Sequence, residues 1–380
     1  MHQQSGDASL LRRLNSAAIL GILRNTDVAT LAELARAARV SRPTVEAIVE
    51  ELLVEGWVEE YTEEYGGGRR GRPAKRFRFR TSARKVVGLS VGAYRLHAMT
   101  ADLGGTIIAT RRVAVFQEMT PGERIDEIAR LVGQCAAEAG VEIRDLAAVA
   151  VGTTGVVDGQ GRVVKSNVLP NWAGVPLQAE LSARLSVPVL VENDMRLAVL
   201  AEHWRGVAEG CSDVVYLFTG NRLSLGLLIG GTPYRGAHSA SGEIGEPAKG
   251  LWLAFGHVTE YAMSVEPGEL RSPAQAAEFA FARAREGEER AAKAVEDFAT
   301  TLAEGLATVV NPLDPEMVVI GGSLAPGGEL LVEPIQRYLD RVCVYPPRVL
   351  ASRFGAESIV VGAVKAALNH AETTLFRKGS

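Results

Sequence analysis

One structural plan is written twice in this chain of 380 residues. Beginning at Val86, the segments VVGLSVG (86–92), RLHAMTA (95–101) and TIIATRRVAVF (106–116) are rich in β-branched residues and joined by short turns that contain glycine. They predict a meander of three strands. A helix is expected from about Pro121 to Ala139, then a strand LAAVAVG (146–152) leading into the turn VVDGQGRVV. From Asp213 the plan recurs as DVVYLFTG, LSLGLLIGG and a glycine-rich continuation. Two such units predict a duplicated α/β body, in lobes of about 86–190 and 191–380, with a cleft between the halves where a ligand would sit.

Composition removes several classes of function. No run of about eighteen apolar residues exists to span a bilayer, and MHQQSGDASLLRRLN has none of the pattern of a secretory leader. A cytoplasmic protein without membrane contact is expected. Cys135, Cys211 and Cys343 are far apart and odd in number, which favours reduced thiols over bridges or a metal site. The net charge of −4 argues against general affinity for polyanions. Its distribution argues otherwise: residues 1–85 hold 15 basic against 11 acidic side chains, and the remainder 26 against 34. Only the front of the chain is suited to meet a polyanion.

That front, residues 1–85, reads as a separate domain. Leu10, Leu11, Leu14, Ala18, Ile22 and Leu23 have the three-to-four spacing of one helical face. TLAELARAA forms a second short helix. After the turn Arg39-Val40, Ser41 can cap a third helix, Pro43 sits in its first turn, and Gly56 can end it. Val45, Ile48, Val49, Leu52 and Leu53 would face inward. Helix, short turn and capped helix is the helix-turn-helix pattern, whose second helix enters the major groove by its N-terminal end. Ser41, Arg42 and Thr44 are therefore candidate DNA-binding residues, Arg42 and Thr44 as contacts to base edges.

The following GGGRRGRPAKRFRFRTSARK carries nine basic residues and no acidic one. Glycines allow close approach to a groove and arginines favour a narrow minor groove. Arg69, Arg70, Arg72 and Lys75 are candidates for DNA backbone or minor-groove contact, as on the wing of a winged helix. A solvated basic linker is the alternative reading. KRFRFR alternates charge with Phe77 and Phe79, as a half-buried strand does.

Asp102-Leu-Gly-Gly-Thr106 spells a phosphate-gripping loop, but its register is wrong. Such a loop joins the first and second strands of the meander, a place taken here by Ser90-Val-Gly-Ala-Tyr94. The Asp102 segment joins the second and third strands, where a tight turn of this composition is ordinary.

The order and spacing of RRLNSAAIL, VSRPTVEAIVEELLVEGWV, GRPAKRFRF, SNVLPNWAGVPL, VENDMRLAVLAE, SGEIGE and VVIGGSLAPGGELL resemble the ROK family of repressors, open reading frames and sugar kinases, over nearly the full length. The resemblance is to its transcriptional regulators with an N-terminal winged helix-turn-helix. It implies an α/β fold: that DNA-binding domain followed by a two-lobed, actin-like/hexokinase-like ATPase body. In the kinase members an Asp-x-Gly-x-Thr loop and a second glycine-rich loop hold ATP. An Asp after Glu-Asn takes the proton of the sugar hydroxyl, and a Gly-Glu-x-Gly-His segment holds the sugar and, through its His, a zinc completed by cysteines.

Several of these devices are missing. Ser90 stands for the first loop's Asp and Tyr94 for its Thr. The second loop reads Thr219-Gly-Asn-Arg-Leu-Ser-Leu-Gly226, with bulky side chains in place of glycines that would let amides reach phosphate. Glu246 replaces the His, and PAKGLWLAFGHVTEYAM has no cysteine, so a zinc of the family type cannot form. Asn193, Asp194 and Glu243 remain, and with Glu246 they are the candidate ligand-binding residues. A carboxylate such as Asp194 can accept sugar hydroxyl hydrogen bonds without chemistry. Trp172 fits the cleft wall or the core, and Asn167 or Asn171 is a candidate sugar contact. His203, His238 and His257 are expected as surface or loop residues, Gly321-Gly322 as a structural turn, and 271–310 as long amphipathic helices.

Three readings stand at this point. The first is a regulator that binds operator DNA as a homodimer or homotetramer, senses a sugar or sugar phosphate, and has no catalytic residue, cofactor or metal. The second is a sugar kinase with a regulatory head. The third is a regulator whose body only oligomerises.

Overall fold

The computed structural model describes residues 3–62, 74–244, 253–269 and 271–377. The front consists of α1 (Gln3–Asn25), β1 (Ala29–Thr30), α2 (Leu31–Ala38), α3 (Arg42–Val54), β2 (Val58–Tyr61) and β3 (Arg76–Phe79). The three strands form one antiparallel sheet in the order β1-β3-β2. Local chemistry sets these boundaries. Thr30 and Glu33 form a reciprocal capping box at the start of α2. Ser41 Oγ accepts from Thr44 N at 3.4 Å to cap α3, and Gly56 follows its end with a positive φ of 78°. Ile19, Leu23, Leu34, Val45, Ile48 and Phe77 close the small core.

Two expectations for this part need comment. Only the second half of α1 is apolar toward the core: Leu11 and Leu14 are 61% and 59% exposed. Between them Arg12 pairs with Glu51 of α3, so α3 meets this stretch through an ion pair and leaves these leucines uncovered, where helical spacing alone would bury them. In β3 the predicted alternation holds, with Phe77 and Phe79 buried and Arg78 exposed. Arg69, Arg70 and Arg72 lie outside the described residues.

The first sheet of the body is built from β4 (Lys85–Val91), β5 (Arg95–Asp102), β6 (Ile107–Ala114), β7 (Leu146–Thr153) and β10 (Val189–Asn193), in the order β10-β7-β4-β5-β6. Between them run α4 (Pro121–Glu138), the small hairpin β8 (Val156–Val157) and β9 (Val163–Lys165), and α5 (Leu177–Leu185); α6 (Asp194–Arg205) follows β10. The second sheet has the order β13-β12-β11-β14-β15, from β11 (Val214–Thr219), β12 (Leu223–Ile229), β13 (Thr232–Pro233), β14 (Met317–Gly322) and β15 (Arg348–Ala351). Its helices are α7 (Phe255–Val265), α8 (Pro273–Arg285), α9 (Glu289–Leu313) and α10 (Glu329–Val342). Both sheets combine an antiparallel meander edge with parallel strands, which is the repeat seen in the sequence.

The last helix, α11 (Ser358–Arg377), does not stay with the second sheet that precedes it. It crosses back onto β4 and β7 and packs along α6. The crossing is tight enough that a Cβ on Gly362 would overlap the Leu197 carbonyl oxygen of α6. Only glycine permits that approach. The same apolar cluster runs from Ile19 and Leu23 of α1 through Ala101 and Leu103 of the meander to Val364 and Leu368 of α11. Front and body thus share a core rather than hanging on a bare linker.

Candidate functional site

The cleft is organised where β10 ends and α6 begins. Asn193 caps α6: its Oδ1 accepts from Met195 N at 2.9 Å and Arg196 N at 3.2 Å. Its Nδ2 donates to Gly155 O at 2.9 Å. The side chain is thereby consumed in holding the turn, so Asn193 positions its neighbour Asp194 instead of offering a free amide.

Beneath this turn lies a charged cluster that no motif announced. Glu192 Oε1 accepts from Asn193 N at 2.7 Å and from Arg196 Nε at 2.6 Å, while its Oε2 pairs with Arg235. Arg196 is 2% exposed and also donates to Ser239 O at 3.0 Å and Val157 O at 3.1 Å. A buried guanidinium needs such saturation to tolerate loss of water. One ion network therefore ties β10 and α6 to the loops after β7 and β13.

Asp194 is the unbalanced member. Its Oδ1 accepts from Met195 N at 3.0 Å. Burial first, and the nearby Glu243 carboxylate second, push its carboxyl up to about 7 against the pull of that amide and of Arg196. Glu243 is exposed as a residue, yet loss of solvent pushes its carboxyl up as well, opposed by Arg196 and Lys165. A carboxyl group with a raised pKa accepts hydrogen bonds from hydroxyls when ionised and donates one when protonated. Ser241 Oγ is buried and without a hydrogen-bond partner among the described residues. Glu246 lies outside the described residues. Asn167 and Asn171 are exposed, and Asn171 holds a left-handed backbone. Trp172 is a core residue that donates from Nε1 to Thr153 Oγ1 at 2.9 Å.

The segments that correspond to the two expected phosphate loops lie one on each sheet, after β4 and between β11 and β12. Ser90 lies at the end of β4, and Tyr94, 62% exposed, donates to Gln117 Oε1 at 2.7 Å. In the β11–β12 hairpin Gly220 N donates to Arg222 O at 3.2 Å, and Leu324 N donates to Thr219 O at 3.2 Å. Thr219 Oγ1 donates to Gly321 O at 2.8 Å, and a Cβ on Gly322 would overlap Thr219 O. The glycine pair therefore serves close packing of β14 on β11. Gly220 N is thus engaged inside the hairpin, and Ser90 leaves the first loop without a carboxylate for magnesium-bound nucleotide.

The zinc expected of the kinase members does not fit either. Cys135 and Cys211 are buried and Cys343 half-buried, and 253–269 contains no cysteine. Among the described residues no cluster of three His, Cys, Asp or Glu side chains could hold a metal ion. His238 and His257 are exposed and His203 half-buried, with His257 Nε2 at 3.1 Å from Thr301 Oγ1.

In the front, Arg42 is exposed at the first position of α3, while the Thr44 hydroxyl lies 2.7 Å from Ser41 Oγ within the cap. Glu46 and Glu50 are exposed farther along α3, so only its N-terminal end favours an anion. Lys75 Nζ lies 3.0 Å from Glu60 Oε2. No helix among the described residues is long and apolar enough to cross a membrane.

The Asp102 turn joins β5 to β6 as expected, and its Oδ1 accepts from Thr106 N at 2.9 Å. It is also a mechanical part. Leu103 N donates to Thr81 O at 2.9 Å. From the far end of α6, Arg205 donates to Gly105 O and Gly104 O, both at 2.7 Å. One helix thus starts at Asp194 in the cleft and ends on the turn that meets the front of the chain.

Comparison with known proteins fits this architecture. The chain is 21% identical to a xylose repressor of Caldicellulosiruptor bescii over 94% of this chain and 96% of that protein. It is 26% identical to a glucokinase of Streptomyces coelicolor over 73% of this chain and 96% of the kinase. Among solved structures, a ROK family transcriptional regulator homologous to the E. coli Mlc protein superposes with a TM-score of 0.77 at 20% identity, covering 96% of this chain and 98% of that one. A ROK glucokinase from Streptomyces griseus superposes with a TM-score of 0.64 at 24% identity over 75% of this chain and 99% of the kinase. The ROK family model matches residues 86–248 and 264–370, and the chain belongs to the ROK family.

Proposed function

We propose that the chain is a ROK transcriptional regulator. Residues 1–85 bind operator DNA as a winged helix-turn-helix, and residues 86–380 sense a sugar or sugar phosphate without phosphoryl transfer. The observation that carries this reading is the extent of similarity: the repressor relative spans 94% of this chain, front included, whereas the glucokinase relative spans 73%. Ser90 in place of a carboxylate and the internally bonded Gly220 amide support the absence of kinase chemistry.

In this reading Arg42 reaches a base edge, Ser41 and Thr44 set the start of α3, and Arg69, Arg70, Arg72 and Lys75 meet phosphates or the minor groove. The protein acts in the cytoplasm as a homodimer or homotetramer on a palindromic operator, with recognition helices about one DNA turn apart. Asp194, Glu243, Glu246 and Ser241 hold the effector. The twelve residues of α6, about 18 Å of helix, carry its effect from Asp194 to the joint at Arg205. The effector changes DNA affinity only by as much as it discriminates the two states.

Binding to fragments of the source chromosome, followed by fluorescence anisotropy at several salt concentrations, tests the main claim. Arg42→Ala should cost about 1–3 kcal/mol on the specific site, and Arg72→Ala should lower the salt slope by about one. Protein that retains no fragment at low ionic strength would sink the reading. A coupled assay over hexoses and N-acetylated hexosamines separates the kinase alternative, since turnover that disappears in Asp194→Asn would establish it.

A further inference from the structure

Between the front and the body lies a cavity of about 780 Å³ that the sugar cleft does not include. It is walled by the end of α1, by β2 and β3, by the Asp102 turn, and by α6 and α11. Its volume is within the range of small-molecule sites. Four cationic side chains line it: Arg24, Arg78 and Arg80 from the front and Lys365 from α11. Arg205 stands just behind, stacked on Trp204 with its guanidinium carbon 4.2 Å from the ring centroid.

The balance of charge in this cavity is incomplete. Arg78 is satisfied by Glu59 at 2.5 Å, and Arg24 by Glu372. Arg80 bonds only the Ser82 hydroxyl, at 3.3 Å. Asp27, the other carboxylate of the lining, is exposed. Lys365 is half-buried, its Nζ 5.7 Å from the Trp204 ring centroid, with no carboxylate partner among the described residues. Burial, then the like charges of Arg24 and Arg205, pull its ammonium below the ordinary lysine value. Holding an unpaired, partly desolvated cation beside two others is unfavourable unless an anion completes the set.

We infer that this joint cavity is a second ligand site, which takes the phosphate group of a small phosphorylated solute between Lys365 of the body and Arg24 and Arg80 of the front. A dianionic phosphate accepts hydrogen bonds from several cationic donors at once. Because the donors come from both parts of the chain, an occupant pins the front to the body. Trp204 in the wall is one of four tryptophans of the chain, and the difference in signal between the wild type and Trp204→Phe isolates it as an optical reporter.

The experiment uses the full chain, titrated at constant ionic strength with inorganic phosphate, with a hexose 6-phosphate, and with the unphosphorylated hexose, reading tryptophan fluorescence and melting temperature. Saturable fluorescence change and a raised melting temperature are expected with both phosphates, and no change of Trp204 signal with the hexose. Lys365→Gln should weaken phosphate binding about tenfold or more, the fold-change of one lost charge-assisted hydrogen bond, while Lys365→Arg keeps it. Without phosphate, Lys365→Gln should melt at or above the wild-type temperature, because a repelling cation is gone; this separates lost binding from lost folding. Absence of saturable binding of either phosphate, equal binding by Lys365→Gln, or a signal lost in Asp194→Asn and retained in Lys365→Gln would each overturn the inference, the last by placing the ligand in the sugar cleft. These outcomes do not depend on whether the protein binds DNA.

Discussion

The two sides of the cleft hold their polar groups in opposite ways. At the β10–α6 turn, charges are buried beyond what folding needs: Arg196 has three acceptors, Glu192 serves two arginines, and Asp194 is left with a carboxyl pushed up to about 7. At the β11–β12 hairpin Gly220 N is engaged by Arg222 O, and Leu324 N, after β14, by Thr219 O. The first side keeps a carboxyl group destabilised by burial, whose cost falls when a hydrogen-bonding partner arrives. The second keeps these donors within the protein. Phosphoryl transfer depends on donors and metal aimed at developing charge, whereas holding a hydroxyl needs only an acceptor such as a carboxylate.

The sharpest way to break this contrast is to open the network itself. Arg196→Ala leaves Glu192 buried beside Arg235 alone, and removing one partner of a buried pair costs about 3–5 kcal/mol. Urea unfolding should show that loss, and a cost under about 1 kcal/mol would mean that the cluster is solvated and the contrast false.

A smaller effect of opposite sign is expected at Asp194. Its folded pKa, about 7, exceeds the unfolded value of about 3.9, so the folded state binds the extra proton between those limits. Stability from this group is therefore fully present below pH 4 and is lost as pH rises through 7. Asp194→Asn, which never ionises, should raise stability by about 0.5–2 kcal/mol at pH 8, as removal of strained site residues commonly does. The gain should narrow from pH 7 downward and disappear near pH 4, while affinity for any sugar effector falls. A gain that is independent of pH would show that burial, not ionisation, sets the behaviour of this residue.

These residues were unequally accessible from the sequence. The meander strands, the helix from Pro121 and the caps at Ser41 and Gly56 followed from local patterns, because alternation, glycine and capping chemistry act over a few residues. Asp194 and Glu243 came only through the family resemblance. Glu192, Arg196 and Arg235 did not come at all. A Glu and an Arg four residues apart carry no mark of burial in the sequence, and Arg235 stands 43 positions from Glu192. For the Asp102 turn, register along the meander was sufficient to reject a phosphate loop. Its grip by Arg205, a hundred residues on, is a fact of tertiary packing. The burial of α1 was misplaced for the same reason: the helical period names a stripe, while tertiary contacts decide which part of it is covered.

The hairpin side predicts smaller changes. Asn221 Oδ1 accepts from Ala274 N at 3.2 Å, at the start of α8, and Asn221→Ala should lower stability by about 1 kcal/mol, the worth of one hydrogen bond. A loop poised to admit nucleotide would show no such cost.

The smallest expected effect is the most discriminating. Ser90→Asp restores a carboxylate at the first loop, and the melting temperature should still not respond to magnesium-ATP. A metal-bound triphosphate needs both the acid and free amides opposite it, and the amides of Gly220 and Leu324 remain bonded to Arg222 O and Thr219 O. To bind there, ATP would have to break those bonds before gaining the same amides. Ligand at a hundred times its Kd stabilises a fold by about 2.7 kcal/mol, so a genuine site would move the transition by several degrees. Such a shift in Ser90→Asp would mean that the hairpin opens readily and that one missing carboxylate, not a closed loop, separates this chain from its kinase relatives.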